Sequence, residues 1–430
     1  MEDLTGRSLF GRTVFASGLC VAASALWFPA KSYADDDITD SCPKLPFFYA
    51  VPNIGCLYSR TDVKTAYWQD EARSVIEVQP GRNNKGPTVA STRRQLGAAE
   101  SGATWLAEVK SLLRVTAATP YGPVTTSLGG KLQIRTQPFS PSDFINAFNE
   151  TDERFLLERA SVEFAGFSLG LMPSVFDFTP TLSYTTSYAS ELSVPLLAYT
   201  YQIGTTDFTL SAENGSYRET TEPLWGHYTS RAQIDFVGAV RKRFDWGNLK
   251  LAVAAHPVSV SQPDWCCRRA AYDEIGWAAL AGIETWFEIG GYSTEFLANV
   301  GAAKGGLSYL GLTNFPADFA IMRGGDLGLS TAQAAVFSAA LWWTKEFRTV
   351  VTWSGYKSTI DMPSFSLNTR AMQAQAAFEY YPSAVPRRGL LFGFEVSYHD
   401  EHTGGASDKI AGEPVSNSYV TTLLYTRMRF

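Results

Sequence analysis

One pattern recurs along most of the chain: stretches of about ten residues in which apolar and polar side chains alternate, each followed by a turn. A period of two is typical of β-strands, because successive side chains point to opposite faces of a sheet. The pattern predicts sixteen strands, and long helical patterns are absent. The predicted strands are 57–68, 102–118, 122–136, 153–165, 167–173, 196–204, 206–213, 228–243, 246–257, 273–288, 292–302, 335–344, 346–356, 370–381, 389–400 and 418–430.

The connections between these strands fall into two length classes. Tight ones include Pro120-Tyr121-Gly122, Asp245-Trp246-Gly247 and Gly290-Gly291, and long ones lie around 69–101, 174–195, 303–334 and 401–417. Short turns on one rim and long loops on the other are typical of outer-membrane barrels. We therefore predict an all-β fold, a transmembrane antiparallel β-barrel of about 16 strands.

Composition favours a barrel that lies in a membrane. The chain is 13% aromatic and only 18% charged, whereas soluble globular domains average about 25% charged residues. The alternative is a soluble sandwich or barrel with its apolar side chains inside. Sixteen strands enclose more space than side chains can fill, which favours a water-filled lumen. The net charge of -6 argues against a nucleic-acid partner, which would require a basic face.

The first 34 residues have the pattern of a secretory signal peptide. Two arginines precede an apolar stretch from about Val14 to Phe28, and Ser32-Tyr33-Ala34 resembles a cleavage site. A retained membrane helix is the alternative, but the apolar run is shorter than the ~20 residues that a spanning helix needs. We expect a signal peptide at 1–34 and a barrel domain at 35–430.

Export would place four cysteines in an oxidising compartment, where an even number suggests disulfides. Cys42 and Cys56 bracket a short segment rich in aromatic residues and would close one loop. Cys266 and Cys267 are adjacent, so they form either a strained vicinal bridge or two free thiols. A zinc site is the alternative, but the chain has four histidines and no paired C-x-x-C motif. No metal or cofactor is expected.

The alternation also separates charged from apolar side chains on the first four strands. A charge that faces hydrocarbon at mid-depth costs on the order of 2–4 kcal/mol, so the charged faces must line water. On the fourth strand the alternation assigns Leu156 to the apolar face. It assigns the charged Glu158 to the same face, against the pattern. The basic residues predicted to form a pore-lining wall are Arg60, Lys64, Lys110, Arg114, Lys131, Arg135 and Arg159.

The chain ends on a strand whose apolar face finishes at Phe430, while Arg427 and Arg429 lie on the other face. Aromatic side chains are favoured at membrane interfaces. We therefore expect Phe430 to lie at the interface and its strand to pair with the first strand near Leu57.

The stretch AGFSLGLMPSVFDF, residues 165–178, resembles the strand-and-loop signature of the alphaproteobacterial general porins, and the segment 41–68 is similar to the opening of the same family. The signature positions are Gly166, Phe167, Gly170, Ser174, Phe176, Asp177 and Phe178. Ser59-Arg60-Thr61 stands where members usually have Gly-Tyr, and Leu171 stands where a basic residue is common. The chain therefore looks like a divergent member.

The resemblance implies a sixteen-stranded homotrimer in which the third external loop, residues 174–196, folds into the lumen. Asp177 and Glu191 of this loop would face the basic wall and form a constriction, and such charges tune ion preference. The alternative is that the basic residues pair with neighbouring acids of the wall. The resemblance also implies that the outer-membrane insertion machinery recognises the terminal strand.

Together these features predict a passive channel for small hydrophilic solutes and ions in the outer membrane of a Gram-negative bacterium. Its partners would be membrane lipid and further copies of itself. The alternatives are a substrate-specific channel, an adhesin with a barrel anchor and a barrel-embedded hydrolase. The histidines His227, His256, His399 and His402 have no serine or acidic partner at a telling spacing, so no enzyme is predicted. His399 and His402 indicate either a solvated turn or a metal cluster.

Overall fold

A computed structural model of the chain describes most residues between Phe48 and Arg429. The described ranges are 48–51, 55–72, 74–83, 86–95, 101–136, 151–179, 181–184, 188–218, 229–230, 233–261, 271–312, 318–321, 327–361, 366–383, 389–405 and 415–429. The signal peptide, Cys42, Cys266, Cys267 and Phe430 lie outside these ranges. The predictions that rest on them, including the Cys42–Cys56 bridge, therefore stay predictions.

Sixteen antiparallel strands form one closed barrel. They are β1 (Gly55–Ala72), β2 (Ser101–Thr119), β3 (Gly122–Thr136), β4 (Thr151–Phe164), β5 (Phe167–Pro173), β6 (Ser193–Ile203), β7 (Thr206–Asn214), β8 (Ile234–Phe244), β9 (Gly247–Ser261), β10 (Ala271–Ile289), β11 (Tyr292–Lys304), β12 (Thr331–Trp342), β13 (Phe347–Asp361), β14 (Ser366–Tyr380), β15 (Leu390–Gly405) and β16 (Val415–Arg429). Each strand pairs with the next, and β16 pairs with β1 from Asp62↔Arg429 to Ala72↔Tyr419.

The structure also contains shorter elements outside the sixteen barrel strands. Phe48–Val51 adds to the start of β1, and Thr229–Ser230 pairs with the end of β9. Two separate hairpins are Ser74–Asn83 with Gly86–Gln95 and Phe319–Ile321 with Leu327–Leu329. Short 3₁₀ helices cover Gly215–Tyr217 and Leu307–Leu310. Among the described residues, no helix is long and apolar enough to cross a membrane.

The predicted barrel is confirmed, and each of the sixteen predicted strands overlaps an observed one. Short turns such as Gly204-Thr205 alternate with longer connections around most of the barrel, as predicted, and the exceptions are the short connection 362–365 and the longer connection 381–389. The observed strands run further than predicted at several ends. β1 continues to Ala72 and β9 to Ser261, since a strand outside the hydrocarbon keeps its pairing without needing an apolar face.

The outer surface of the barrel is apolar. Leucine, valine and phenylalanine side chains along the strands are exposed, for example Leu210 at 71%, Phe236 at 63% and Leu251 at 62%. Near the short turns the exposed side chains are aromatic, among them Trp246 and Trp343. This arrangement matches an apolar band with an aromatic girdle at the interface. The soluble alternative, with apolar side chains inside and charges outside, is therefore wrong.

A β-bulge explains the misplaced charge on β4. The register with β3 shifts between Gly129, which pairs with Arg159, and Gly130, which pairs with Leu157, so Glu158 is the extra residue. An extra residue turns the preceding side chains to the opposite face. Leu156 consequently lies opposite Lys131 on the inner face, and its assignment to the lipid face is wrong.

A glycine on β15 makes room for an aromatic side chain of the inner wall. Gly393 lies directly opposite Tyr425, and a Cβ added at Gly393 would overlap the Tyr425 ring. The Tyr425 hydroxyl donates to Glu379 Oε1 at 2.8 Å. The ring therefore cannot move without losing this hydrogen bond.

We predict that Gly393→Ala lowers the stability of the barrel by about 1–3 kcal/mol, as overpacking does in other cores. The measurement is a gel-shift assay, in which samples are heated in detergent to a series of temperatures before electrophoresis. The melting temperature is the one at which the band of the folded barrel disappears. Gly238→Ala is the matched control, because its Cβ would make ordinary contacts of 3.5 Å or more. Equal melting temperatures for the two variants would contradict the prediction.

Candidate functional site: the lumen and its inner loop

The long connection between β5 and β6 folds into the barrel, and we call residues 174–192 the inner loop. Its first residues follow the inner wall strand by strand. The backbone N–H of Val175 donates to Glu213 on β7, and Lys250 on β9 donates to the carbonyl oxygen of Asp177. On β10, Gly282 leaves space for the ring of Phe178, since an added Cβ would overlap that ring.

The far end of the inner loop reaches the last strands of the barrel. The N–H of Leu182 donates to Ser338 Oγ on β12 at 3.3 Å. The N–H of Tyr184 donates to Glu395 Oε2 on β15 at 3.2 Å, and the Tyr184 ring stacks on Tyr425 of β16 at 4.2 Å between centroids. The inner loop therefore covers the wall from β7 to β16. Within the described part of the chain it approaches the first four strands near Leu106 of β2, which packs against the same apolar cluster as Tyr184, so most of the inner face of β1–β4 stays uncovered.

Small apolar side chains on the covered wall let the inner loop lie close to it. Phe176 is completely buried, and Phe178, Leu182 and Tyr188 pack against the same cluster. The buried alanines of this cluster are Ala239, Ala252, Ala254, Ala278, Ala303, Ala332, Ala334 and Ala371. Burial of aromatic surface contributes roughly 1.5–3 kcal/mol for each fully buried side chain. The inner loop is thus held to the wall mainly by apolar packing.

A buried ion pair joins the two ends of the inner loop. Arg218, after β7, donates to Asp177 Oδ1 at 3.1 Å and to Ser190 Oγ at 2.9 Å. The N–H of Leu192 donates to Asp177 Oδ2 at 2.7 Å. The side chains of Arg218 and Asp177 are 1% and 8% exposed. Asp177 therefore does not face the basic wall as expected, whereas Glu191 is exposed.

A second buried carboxylate holds the start of the inner loop. Glu213 on β7 accepts from Ser174 Oγ at 2.7 Å, from Val175 N at 2.9 Å and from Ser211 Oγ at 2.9 Å. Glu213 is 1% exposed. Three donors satisfy its charge, as a buried carboxylate requires.

A second segment, residues 305–312 after β11, also lies inside the barrel and supports the inner loop. The Tyr309 ring contacts Phe176 edge-on at 4.7 Å, and its hydroxyl donates to Asp235 Oδ2 at 2.6 Å. Burial raises the pKa of Tyr309 well above its ordinary value, so the hydroxyl stays protonated and keeps donating. Gly311, at φ 79°, lies so close to Ala189 that a Cβ would come within 2.6 Å of the alanine oxygen.

The histidine on β9 has an acidic partner that the sequence spacing did not reveal. His256 Nδ1 lies 2.8 Å from Asp235 Oδ1 on β8, and both side chains are buried. The same carboxylate also accepts a hydrogen bond from the Tyr309 hydroxyl. The pair therefore supports the inner segments. Among the described residues, no cluster of histidine, cysteine and carboxylate side chains has the geometry of a metal site.

The uncovered wall carries the predicted basic residues. Lys110 on β2 lies opposite Lys131 on β3, and both contact Glu158, at 2.5 Å and 2.9 Å. Arg159 donates to Glu163 at 2.9 Å. Arg114 donates to Ser127 at 3.3 Å, and Arg60 is half-buried on β1. Lys64 and Arg135 belong to described strands, but their side chains lie outside the described part. Pairing with acids of the wall is thus part of the arrangement.

Several residues that hold the inner loop carry no signal in the sequence. Arg218 and Tyr309 lie in long connections, where no periodic pattern assigns a face. Their buried partners come from strands far away in sequence. The direct pairing of Asp235 with His256 was accessible in principle, because the tight turn between β8 and β9 sets the register.

The barrel, its inner loop and its uncovered charged wall define an outer-membrane diffusion channel. A family model described as the porin subfamily matches residues 76–316, more than half of the chain. The chain therefore belongs to the porin subfamily. The expected alphaproteobacterial branch is a finer assignment that this match does not reach.

Solved structures with a similar fold share little sequence with this chain. The outer membrane channel DcaP of Acinetobacter baumannii is 13% identical, covers 87% of this chain and 97% of its own, and has a TM-score of 0.58. The anion-selective porin from Comamonas acidovorans has 11% identity, 87% and 99% coverage and a TM-score of 0.45. OmpF of Salmonella typhi, solved with daunomycin, is 9% identical, covers 88% of this chain and 99% of its own, and has a TM-score of 0.47. No curated protein sequence matches the chain.

We predict that Arg218→Met separates the two ends of the inner loop, because it leaves the Asp177 carboxylate buried without its cation. Breaking a buried ion pair costs about 3–5 kcal/mol. The expected result is faster proteolysis within 174–192 and a noisier single-channel current in planar bilayers.

The matched control is Arg243→Met, which breaks an ion pair with Asp207 at 2.7 Å near a short turn, where Arg243 is 43% exposed. An exposed pair contributes about 0–1 kcal/mol. Equal proteolysis rates in the two variants would show that the Arg218 pair does not hold the loop.

Proposed function

We propose that this chain is a passive channel for small hydrophilic solutes and ions, with a preference for anions, in the outer membrane of a Gram-negative bacterium. Solutes pass between the inner loop and the wall formed by β1–β4. The observation that carries this proposal is the path of the inner loop, whose described contacts run along β7–β16, whereas the basic residues are predicted on the inner face of β1–β4.

The charges on the two sides of this space are unequal. The inner loop contains two acids and no basic residue. Asp177 is bound to Arg218, so Glu191 alone is an exposed carboxylate of the inner loop. The strands of the opposite wall contain the basic residues that we predict to face the lumen, which are Arg60, Lys64, Lys110, Arg114, Lys131, Arg135 and Arg159. Four acids on the same strands, Asp62, Glu108, Glu158 and Glu163, offset part of this charge. An excess of positive charge along a pore favours anions.

The assembly and its biogenesis are part of the proposal. The resemblance to general porins supports a homotrimer, a cleaved signal peptide at 1–34 and a Cys42–Cys56 bridge. It also supports recognition of the terminal strand, which ends at Phe430, by the insertion machinery. The exposed apolar band supports direct contact with outer-membrane lipid.

The test is current across a planar bilayer that contains the purified full-length mature protein. We expect stepwise conductance increments. Under a salt gradient, we expect a reversal potential whose sign is that of the equilibrium potential of the anion. Absence of steps would overturn the channel, and a reversal potential on the cation side would overturn the anion preference. Measurable hydrolysis of esters or glycans would favour an enzyme instead.

We predict that Glu158→Gln increases the anion preference, because it leaves Lys110 and Lys131 without their shared carboxylate. One unit charge a few Å from a passing ion is worth about 1 kcal/mol in water, so the permeability ratio should rise roughly fivefold. The measurement is the reversal potential under a salt gradient. Lys131→Gln should shift it in the opposite direction.

Glu346→Gln is the matched control, since Glu346 is half-buried in the turn between β12 and β13. It removes the same charge outside the lumen. An equal shift for Glu346→Gln and Glu158→Gln would mean that the basic wall does not set the preference.

A further inference from the structure

A row of hydrogen-bond donors crosses the outside of the barrel near the long loops. Gln333 on β12 lies opposite Lys357 on β13, Lys357 lies opposite Arg370 on β14, and Arg370 lies opposite His402 on β15. Lys357 and Arg370 are exposed. Their neighbours Tyr356 and Ala371 are buried on the inner face, so the row points away from the lumen.

The row places two cations in an unfavourable position. Directly opposed residues of an antiparallel pair have Cβ atoms about 4.5–5.5 Å apart, and like charges in this position destabilise a sheet. Within the described part of the chain, neither Lys357 nor Arg370 forms an ion pair. Asp400 lies in the next row, opposite Met372. An anion between Lys357 and Arg370 would remove the repulsion.

The height of the row on the barrel indicates where that anion comes from. Tyr380 is an exposed aromatic residue at the C-terminal end of β14, and it marks the membrane interface on that side of the barrel. Arg370 lies ten residues away along the same strand. Ten residues of a strand tilted by about 40° rise by about 25 Å, which equals the height of the apolar band. The row therefore lies at the headgroups of the leaflet on the side of the long loops.

A groove in the apolar surface begins at this row. It has a volume of about 800 Å³, and Gln333 and Lys357 line one end of it. Both small and larger apolar residues line it. The small ones include Ala281, Ala302, Ala335 and Gly355, and the larger ones include Leu251, Val253, Val300 and Trp353. The groove thus joins an apolar channel to a cationic end.

We propose that this surface binds one anionic lipid of the outer leaflet. Its phosphate lies between Lys357 and Arg370, where Gln333 and His402 add donors, and one acyl chain lies in the groove. Cationic side chains that meet headgroups hold anionic lipids in this way. A lipid fits better than free phosphate, because only a lipid uses both the charged row and the groove. The site lies outside the lumen and is independent of solute passage.

The test measures lipid retained by the full-length protein after purification in mild detergent, by native mass spectrometry. The probe is phosphatidic acid, compared with phosphatidylcholine of the same chains. We expect the wild-type protein to retain phosphatidic acid preferentially. Lys357→Gln combined with Arg370→Gln should lower the apparent affinity roughly tenfold or more, and Asp400→Asn should raise it.

Two further variants separate the parts of the site. Ala335→Phe fills the groove without changing charge, and it should weaken binding of phosphatidic acid while single-channel conductance stays that of the wild type. Lys345→Gln removes an exposed cation at the opposite rim and should leave binding unchanged. Inorganic phosphate at millimolar concentration should not displace the lipid.

The outcomes that overturn the proposal are distinct. Displacement by inorganic phosphate would mean a phosphate site rather than a lipid site, and equal losses for Lys345→Gln would mean a general charge effect. A change of oligomeric state in the double variant, without a change in lipid retention, would assign the row to a protein interface. None of these results alters the channel, since conductance is measured separately.

Discussion

The closure of the barrel is the constraint on which the rest of this structure depends. A strand in hydrocarbon has no water to satisfy its backbone N–H and C=O groups, so every strand needs two neighbours. Pairing of β16 with β1 gives the last strand its second neighbour. Closure also separates an outside, which must be apolar, from an inside, which must hold water or packed side chains. The two faces of every strand follow from this separation.

Closure leaves a lumen that is too wide to be filled by the wall alone, and the chain fills part of it with its own connections. The inner loop and the segment 305–312 bring aromatic side chains to a wall of alanines. Buried polar contacts fix both segments, since Arg218 pairs with Asp177 of the inner loop and the Asp235–His256 pair accepts the hydroxyl of Tyr309. Buried charges without partners are costly, so these pairs determine where the inner segments can lie. The open part of the lumen is what they leave uncovered.

The sequence predicted the strands well because the membrane imposes a strict period on them. It was wrong on β4 for a local reason. A single extra residue, Glu158, reverses the faces of the residues before it, and alternation within one strand cannot reveal a bulge that is defined by the partner strand. The prediction that Asp177 faces the basic wall was wrong because of a residue that is distant in the sequence. Its cation, Arg218, lies in a loop whose path depends on the whole barrel.

By itself, the sequence determined the strand number, the all-β class and the alternation of the two faces along strands without a bulge. These properties depend on a period of two and on the cost of charge in hydrocarbon, and both act on each strand separately. Only the tertiary structure decided which wall the inner loop covers, which acids compensate the basic residues and which side chains meet across strands on the outside. Those contacts join residues that are distant in the chain, so they exist only once the register and the closed barrel have brought them together.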